Sequence, residues 1–434
     1  MSLVHHPDFR RLWAADALSQ VGTQITAIAL PLLAIKVLDA GAFEVGLLTT
    51  FEFLAFLLIG LPAGAWVDRM RRRNVLVVAD LGRAVLFGSL PLAWWLDLLT
   101  LWQVYLVALL TGACTVFFDV AYQSYLPHLV GREHLVEGNA KLQGTQSVAQ
   151  VAGPTAGGLL VQALTAPYAI LLDAVSFLWS ALWVASIRTR EPRPERVAGR
   201  NLVREVREGL AFVFGHQLLR VIAACTATAN LFSNVAMTAF VVLLASPDEL
   251  DLAAGTIGVL FSAGAVGGLL GALVARRFAG WVGQGPALWM SIGLQGPVTA
   301  AMPFVDRGWQ LWLVGASFVV SGATVVVYNI TQVSFRQLLC PERLLGRMNA
   351  TIRFAVWGTI PIGALIGGVL GSTIGLRPTL WVAVAGSATA FLPVFLSPLR
   401  WMRELPTTYE PGGGAGTDAG AGSGPGPVGA GGGA

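Results

Sequence analysis

Long apolar runs separated by short polar connections make up most of the chain. Roughly twelve such runs, between about Leu12 and Leu399, contain about 20 residues each, the length that a helix needs to cross a lipid bilayer. The last four are predicted at about 286–305, 311–333, 349–374 and 378–399. A polar segment from Arg188 to Glu208 divides them into two groups of six. From Pro411 the sequence is dominated by glycine, alanine, serine and proline, which bury too little apolar surface to fold.

This pattern predicts an all-α polytopic membrane protein with twelve transmembrane helices in two six-helix bundles. We expect an N-terminal bundle at residues 1–187, a cytoplasmic linker at 188–209, a C-terminal bundle at 210–403 and a disordered Gly/Ala-rich tail at 404–434. Composition agrees, because 55% of the 434 residues are hydrophobic and only 12% are charged. A soluble protein carries about 25% charged residues. The lipid bilayer is therefore an expected partner.

Positive charges lie on one side of the predicted topology. Of all lysines and arginines, only Lys36, Arg307 and Arg377 fall on the other side. The positive-inside rule therefore places both termini and the linker in the cytoplasm, in a multi-pass protein of the cell membrane. The same placement argues against a nucleic-acid partner. Residues 1–11 lack the pattern of a cleaved signal peptide, so the first helix is expected to direct insertion.

Cysteines and histidines do not suggest metal or redox chemistry. Cys114, Cys225 and Cys340 lie in or beside apolar stretches without the spacing of metal ligands. The five histidines fall in the termini or loops, also without that spacing. No metal site is expected. A membrane enzyme, which is one alternative function, would need clustered ligands or an activated nucleophile.

The two halves of the sequence repeat one another. The run Gly153–Gly158 recurs as Gly363–Gly368, and Asn139 recurs as Asn349, with the same offset of 210 residues. The stretch that begins at Gly64 recurs in altered form 207 residues later. We therefore predict an internal duplication of a six-helix unit.

Charge is concentrated in one turn, between the second and third predicted helices. Its sequence is Gly64-Ala65-Trp66-Val67-Asp68-Arg69-Met70-Arg71-Arg72-Arg73. This turn resembles the signature of the major facilitator superfamily between helices 2 and 3. The residues that match are Gly64, Asp68, Arg69, Arg72 and Arg73, whereas Arg71 replaces the usual glycine. The resemblance implies a gating motif in which Asp68 pairs with the N-terminus of helix 11, or with nearby arginines, when the transporter opens outward.

Asp119 lies near the cytoplasmic end of the fourth predicted helix, at the depth of this arginine cluster. We expect it to belong to the gating motif as an ion-pair partner of Arg69 or Arg72. Asp80 and Arg83, one helical turn apart, are expected to form a local pair.

The fifth predicted helix contains Gly153, Pro154, Gly157 and Gly158. They resemble the end of a helix 5 signature associated with exporters of this superfamily. The alternative is ordinary close packing, because glycines let neighbouring membrane helices approach.

Three further stretches, 117–127, 135–140 and 173–177, resemble the drug and siderophore exporter branch, which includes macrolide efflux proteins and enterobactin exporters. The resemblance implies a monomeric secondary transporter that exports drug-like or siderophore-like amphipathic small molecules by proton antiport and alternating access. The proton gradient would be the energy source, with no cofactor, and the chain has no nucleotide-binding phosphate loop. An importer or a lipid translocase of the same fold is the alternative.

Carboxylates inside the predicted spans are candidates for proton coupling, because a charge in the bilayer is costly. Glu52 lies about 8 residues inside the second predicted helix, roughly 12 Å from its outer end. No basic residue lies at a comparable depth nearby in the sequence, which suits reversible protonation. The alternative is that Glu52 faces water in the outer vestibule. Asp16 and Asp173, each nearer a membrane face, are weaker candidates.

Polar and aromatic residues within the spans are candidates for a substrate cavity. Interhelical hydrogen bonds and anchoring at the membrane interface are the alternative roles. The candidates are Gln20 and Gln24 on the stripe of Asp16, Phe51, Asn230, Asn234, Asn329 and Trp357.

Overall fold

The computed structural model describes residues 3, 6–67, 69–131, 134–189, 191, 202–340 and 342–403. Within these ranges the first half contains six long helices. They are α1 (Pro7–Val37), α2 (Ala42–Val67), α3 (Arg72–Trp95), α4 (Leu101–Val130), α5 (Leu135–Leu164) and α6 (Ala166–Ala185). The predicted tail at 404–434 and the residues 192–201 of the predicted linker lie outside the described residues.

The second half contains shorter helical segments as well as long helices. They are α7 (Leu202–Gly215), α8 (Gln217–Ala245), α9 (Ala254–Val282), α10 (Gln284–Gly293), α11 (Gln295–Thr299), α12 (Gln310–Leu339), α13 (Glu342–Trp357), α14 (Thr359–Thr373), α15 (Leu376–Thr389) and α16 (Leu392–Phe395). α7 begins inside the segment predicted as a linker, and it packs against α8 and α13 with Phe212 and Val213 buried.

Prolines explain where the second half departs from the predicted continuous helices. A proline removes one backbone hydrogen bond, and its ring collides with the carbonyl four residues earlier. α10, α13 and α15 each end four residues before a proline. The prolines concerned are Pro297, Pro361 and Pro393. The spans predicted at 286–305, 349–374 and 378–399 are therefore broken rather than continuous.

Twelve helical segments pass through the bundle in the part of the chain that the structure describes. Ten of them are long and apolar enough to cross a membrane, with α13 and α14 counted as one segment and α15 and α16 as another. The remaining two segments are α5, which is long but contains several glutamines, and the broken run from α10 through α11 to a short 3₁₀ helix at Met302–Phe304. The architecture is the all-α, twelve-segment arrangement that the sequence predicts.

The internal repeat recurs in the packing of α5 and α14. A Cβ atom on Gly157 would lie 2.9 Å from the Cα of Ile25 in α1. A Cβ atom on Gly367 would lie 2.7 Å from the carbonyl oxygen of Val235 in α8. Both the glycines and their partners are separated by 210 residues. The two halves therefore use the same close backbone contact.

The neighbouring glycines of the repeat form contacts between the halves. A Cβ atom on Gly158 in α5 would lie 3.1 Å from the Cα of Gly258 in α9. A Cβ atom on Gly368 in α14 would lie 3.2 Å from the Cα of Gly46 in α2. Small residues permit this approach, in which backbone touches backbone.

The two ends of the bundle differ in how the halves meet. We call them the arginine end, which contains Arg69, Arg72 and Arg73, and the Lys36 end, where α1 terminates. Near the Lys36 end one buried apolar cluster includes side chains of both halves, from Leu33 to Phe240 and beyond. Towards the arginine end the described buried side chains form separate clusters, none of which includes side chains of both halves.

Candidate functional site

Contacts between the halves are numerous near the Lys36 end. The Lys36 ammonium forms an ion pair with Asp251 at 2.9 Å. The Oε1 atom of Gln162 accepts a hydrogen bond from the backbone of Gly255 at 3.2 Å. The hydroxyl of Thr50 donates to the carbonyl oxygen of Pro361 at 3.1 Å. Together with the glycine contacts, these bonds close this end.

At the arginine end, one ion pair joins the halves among the described residues. Nη2 of Arg353 in α13 lies 3.2 Å from Oδ2 of Asp119 in α4. The guanidinium also lies 4.2 Å from the ring centroid of Trp357, and that ring contacts Phe56 of α2 edge-on at 4.9 Å. We call these four residues the crossing cluster. The prediction that Asp119 pairs with Arg69 or Arg72 is wrong, because its ion-pair partner, Arg353, comes from the other half.

The arginines of the gating motif have other partners or face outward. Arg72 lies 3.9 Å from Glu191, and the backbone nitrogen of Arg73 donates to the same carboxylate at 3.2 Å. The side chain of Arg73 donates to the carbonyl oxygens of Val184 and Ala185, which ties α3 to the end of α6. Arg69 is exposed. Asp68 lies outside the described residues, so its predicted pairing stays a prediction.

A cleft of about 400 Å³ separates the halves beside the crossing cluster. Gly60 and Gly64 of α2 line one wall, and Asn349 and Phe354 of α13 line the other. A Cβ atom on Gly64 would meet nothing within 4 Å. The motif glycine therefore borders open space here, rather than a packed turn.

The first-half cavity has a volume of about 270 Å³ and is lined by Glu52, Asp119 and Asp173. Arg83 lines the same cavity. Glu52 forms no ion pair within the described part of the chain, in agreement with its lack of basic neighbours in the sequence. Asp173 accepts a hydrogen bond from Ser176 at 2.9 Å, while its Oδ2 atom has no hydrogen-bond partner. Two of the three predicted coupling candidates thus share one cavity.

Arg83 is held in place by a buried ion pair and two aromatic rings. It contacts Asp80 one turn earlier, as the sequence predicts, and Asp80 also accepts from Ser180 at 2.6 Å. The guanidinium carbon lies 4.3 Å from the ring centroids of both Phe118 and Phe177. Because Asp80 already balances its charge, Arg83 leaves Glu52 and Asp173 without a full counter-ion.

The second-half cavity is larger, about 710 Å³, and is lined by α8, α9, α10, α11, α12, α13 and α15. Three predicted cavity residues, Asn230, Asn329 and Trp357, line it. Its polar lining consists of amides, hydroxyls and arginines, and no described aspartate or glutamate contributes. Trp357 borders this cavity, the cleft and the first-half cavity, so the crossing cluster stands where the three spaces meet.

Several predicted residues lie outside these three cavities. Asp16 is buried and accepts a hydrogen bond from Gln20 at 3.3 Å. Gln24 packs against the backbone of Gly153, and Phe51 stacks on Tyr105. Asn234 donates to the carbonyl oxygen of Asn230 at 2.8 Å, one turn earlier in α8. Both hydrogen bonds lie within one helix rather than between helices, and the cavity or coupling roles of these residues stay predictions.

The exporter-like glycines of α5 are also packing residues. Gly153 and Gly157 contact α1, and Gly158 contacts α9 of the other half. Pro154 lies within α5, and its carbonyl oxygen would be 2.2 Å from a Cβ atom on Gly258. The motif thus fixes the helix that joins the two halves near the Lys36 end.

Arg336 and Gln295 are among the cavity residues that the sequence did not predict. Arg336 lies beyond the predicted end of its helix, at about Val333, and so resembled a loop residue, whereas α12 continues to Leu339. Gln295 lies at the break between α10 and α11 and bonds to Ser321 at 2.8 Å. A polar residue beside the Gly-Pro pair at 296–297 was the available signal.

Comparison with known proteins places the chain. A family model described as Major Facilitator Superfamily matches residues 12–361. The enterobactin exporter EntS of Escherichia coli O1:K1 / APEC is 26% identical over 392 residues, covering 90% of this chain and 91% of that protein.

Solved structures agree in fold. A bacterial homologue of the iron transporter ferroportin in an inward-facing state has a TM-score of 0.71 at 17% identity, covering 91% of this chain and 99% of that one. The nucleoside transporter NupG has a TM-score of 0.70 at 14% identity, covering 90% and 99%. With twelve helical segments in two repeated halves around a shared set of cavities, the chain belongs to the major facilitator superfamily and is a multi-pass membrane transporter.

Proposed function

We propose that the chain exports drug-like or siderophore-like amphipathic small molecules in exchange for protons. The observation that carries this proposal is the pair of unequal cavities that meet at Trp357. One is small and lined by three carboxylates, and the other is large, with apolar groups, amides, hydroxyls and two arginines but no described carboxylate in its lining. Such a pair suits a small ionic cargo in one half and an organic cargo in the other.

The second-half cavity supports binding of an organic molecule. Its volume of about 710 Å³ falls within the range of roughly 300–1,000 Å³ that is typical of pockets for drug-sized ligands. Aromatic and aliphatic side chains alternate there with amides such as Asn230 and Asn329. An amphipathic molecule would find both kinds of partner. The printed name of the relative EntS, an enterobactin exporter, supports a siderophore-like cargo.

The first-half cavity supports proton coupling. Glu52 faces this cavity with no ion-pair partner among the described residues. Keeping such a group charged inside a membrane is costly, so it favours binding a proton whenever the cavity loses contact with water. Protonation and release at Glu52, with Asp173 nearby, would couple the cycle to the proton gradient without a further cofactor.

The difference between the two ends supports alternating access. Near the Lys36 end the halves touch through backbone, whereas at the arginine end the crossing cluster joins them beside an open cleft. Rocking of α1–α6 against α8–α16 would break one set of contacts and form the other. By the positive-inside rule, we assign the arginine end and both termini to the cytoplasm of the cell membrane. We propose that one chain carries out the cycle alone.

Dye accumulation in cells that express the chain tests the proposal. Wild-type cells should accumulate less of a fluorescent amphipathic dye than control cells, and a protonophore should abolish the difference. Glu52→Gln, which cannot exchange a proton, should lose the proton-dependent part. Glu249→Gln, at an exposed loop position, is the matched control and should behave as wild type.

The other outcomes separate the alternatives. Higher accumulation in wild-type cells would indicate an importer, and movement of labelled phospholipid without effect on the dye would indicate a lipid translocase. Wild-type behaviour of Glu52→Gln would remove Glu52 from the coupling step. A membrane enzyme, the remaining alternative, has no support from the family.

A further inference from the structure

The second-half cavity contains a buried cation that no described residue neutralises. Arg336, in the last turn of α12, is only 9% exposed and lines this cavity. Its Nε atom is buried and has no hydrogen-bond partner among the described residues. Arg336 forms no ion pair within the described part of the chain. The other arginine of the cavity, Arg353, differs in that Asp119 of the first half balances its charge.

The described polar groups around Arg336 are uncharged amides and hydroxyls. Gln332, one turn earlier, is buried, and its Oε1 atom has no partner, while its amide nitrogen donates to Asn329 at 3.3 Å. The hydroxyl of Tyr328 is engaged with Thr226 at 2.7 Å. None of these groups neutralises the guanidinium.

An isolated buried cation is costly unless an anion pairs with it. Arginine also presents a planar set of donors that fits a carboxylate or phosphate through two parallel hydrogen bonds. The missing charge is therefore one that a ligand can bring. The apolar part of such a ligand would face Phe261, Phe318 and Trp357, which line the same cavity.

We propose that Arg336 binds an anionic oxygen group, such as a carboxylate, on the transported molecule. The inference rests on the proposed function, since it names a chemical feature of the substrate. It assigns the two halves complementary tasks: carboxylates in the first half bind the proton, and a cation in the second half binds the anionic end of the cargo.

Binding of a matched pair of probes to the purified full-length chain tests this site. 1-Pyrenebutyrate carries a carboxylate, and 1-pyrenebutyramide has the same apolar body without the charge. In nanodiscs of neutral lipid, with empty nanodiscs subtracted, wild type should bind the carboxylate about tenfold more tightly than the amide. Arg336→Gln should abolish the preference and leave the affinity for the amide unchanged.

Two further variants control for charge and for folding. Arg336→Lys keeps a cation and should retain part of the preference. Arg276→Gln removes an exposed arginine of α9 and should leave the preference intact. Removing an unpaired buried charge should not destabilise the fold, so Arg336→Gln should still fold. 1-Pyrenebutyrate should raise the unfolding temperature of wild type, which binds its carboxylate, but not that of Arg336→Gln.

Equal affinity of wild type for the two probes would overturn the proposal. An equal loss of affinity for both probes in Arg336→Gln would also overturn it. If Arg336→Gln does not fold, the wild-type comparison and Arg336→Lys still decide. A preference for the anion without any export would leave the subsite standing and contradict the proposed function. Proton-dependent export of neutral dyes without a preference for the anionic probe would support the proposed function and contradict the anion subsite.

Discussion

The first-half cavity and the second-half cavity differ in charge, although the helices around them repeat. Glu52, Asp119 and Asp173 line the former, with one arginine. Amides, hydroxyls and two arginines line the latter, and no described carboxylate does. The backbone contacts of Gly157 and Gly367, in contrast, are equivalent in the two halves, because the glycines and their contact partners are separated by the same number of residues.

The difference shows which positions the duplicated fold constrains. At the repeated glycines a Cβ atom would collide with the backbone of a neighbouring helix, so the residue type is dictated by geometry. Side chains that face a cavity meet no such limit, and function resides in these positions rather than in the shared framework. One packing scheme thereby accommodates two kinds of cavity.

The largest effect is expected where the halves touch through backbone. A Cβ atom on Gly158 would lie 2.3 Å from the carbonyl oxygen of Ala254, so α5 and α9 must separate to admit a side chain. Overpacking of this kind costs about 1–3 kcal/mol, or roughly fivefold to 150-fold in the population of the closed end. We expect Gly158→Val to reduce export by at least about fivefold, measured as dye efflux per amount of folded protein.

The repeat supplies both the comparison and the control. A Cβ atom on Gly368 would lie 2.9 Å from the carbonyl oxygen of Ala42, so Gly368→Val should match Gly158→Val. A Cβ atom on Gly144, also in α5, would meet nothing within 4 Å, and Gly144→Val should export as wild type. Efflux by Gly158→Val equal to that of Gly144→Val would break the idea that this contact closes the transporter.

The fold was largely predictable because long apolar runs in the sequence identify membrane helices. The helix count, the two halves and the repeat all follow from apolar runs and glycine spacing. The breaks in the second half were less accessible. Pro297 and Pro361 interrupt their helices, whereas Pro31 and Pro62 lie inside continuous helices of the first half. The local sequence does not show whether a helix breaks or continues at a proline, because packing against neighbouring helices decides this.

The site was only partly predictable, for a physical reason. Residue type and depth identified Glu52, Asp173, Asn230, Asn329 and Trp357, which face cavities. Partners from the other half could not be read from one helix at a time.

Two positions show why the prediction of the site was incomplete. Asp119 pairs with Arg353, 234 positions away in the sequence, rather than with the nearby arginine cluster. Arg336 was missed because the end of its helix was placed too early.

An intermediate effect is expected at the crossing cluster. The Asp119 and Arg353 side chains are 35% and 36% exposed, so the ion pair should contribute about 0.5–1 kcal/mol of coupling. Asp119→Asn and Arg353→Gln should each lower export severalfold, the latter more because it also loses the stacking on Trp357. A double-mutant cycle of export rates measures the coupling.

Charge reversal sharpens the same test. The combination of Asp119→Arg with Arg353→Asp restores an attractive pair between the halves and should recover part of the export that either reversal alone removes. Strictly additive single and double variants would contradict a direct role for the pair in joining the halves at this end.

The smallest effect is expected at Lys36 and Asp251, the exposed ion pair between the halves. The hydrogen bond from Lys36 lowers the pKa of Asp251 below its ordinary value of 3.8. Because the folded pKa is the lower one, the contribution of this carboxylate is fully present above pH 3.8 and is lost only as the pH falls through the folded pKa. Between about pH 5 and pH 8 the pair is therefore insensitive to pH.

Asp251→Asn should shift the opening of the Lys36 end by about twofold or less, and raised salt should produce a similar shift in wild type. Distances between spin labels on either side of that end measure the shift. If opening of the wild type depends on pH between about 5 and 8, Asp251→Asn should retain that dependence and Glu52→Gln should lose it. Loss of the dependence in Asp251→Asn instead would move the proton-sensitive step out of the first-half cavity and undo the division of tasks between the halves.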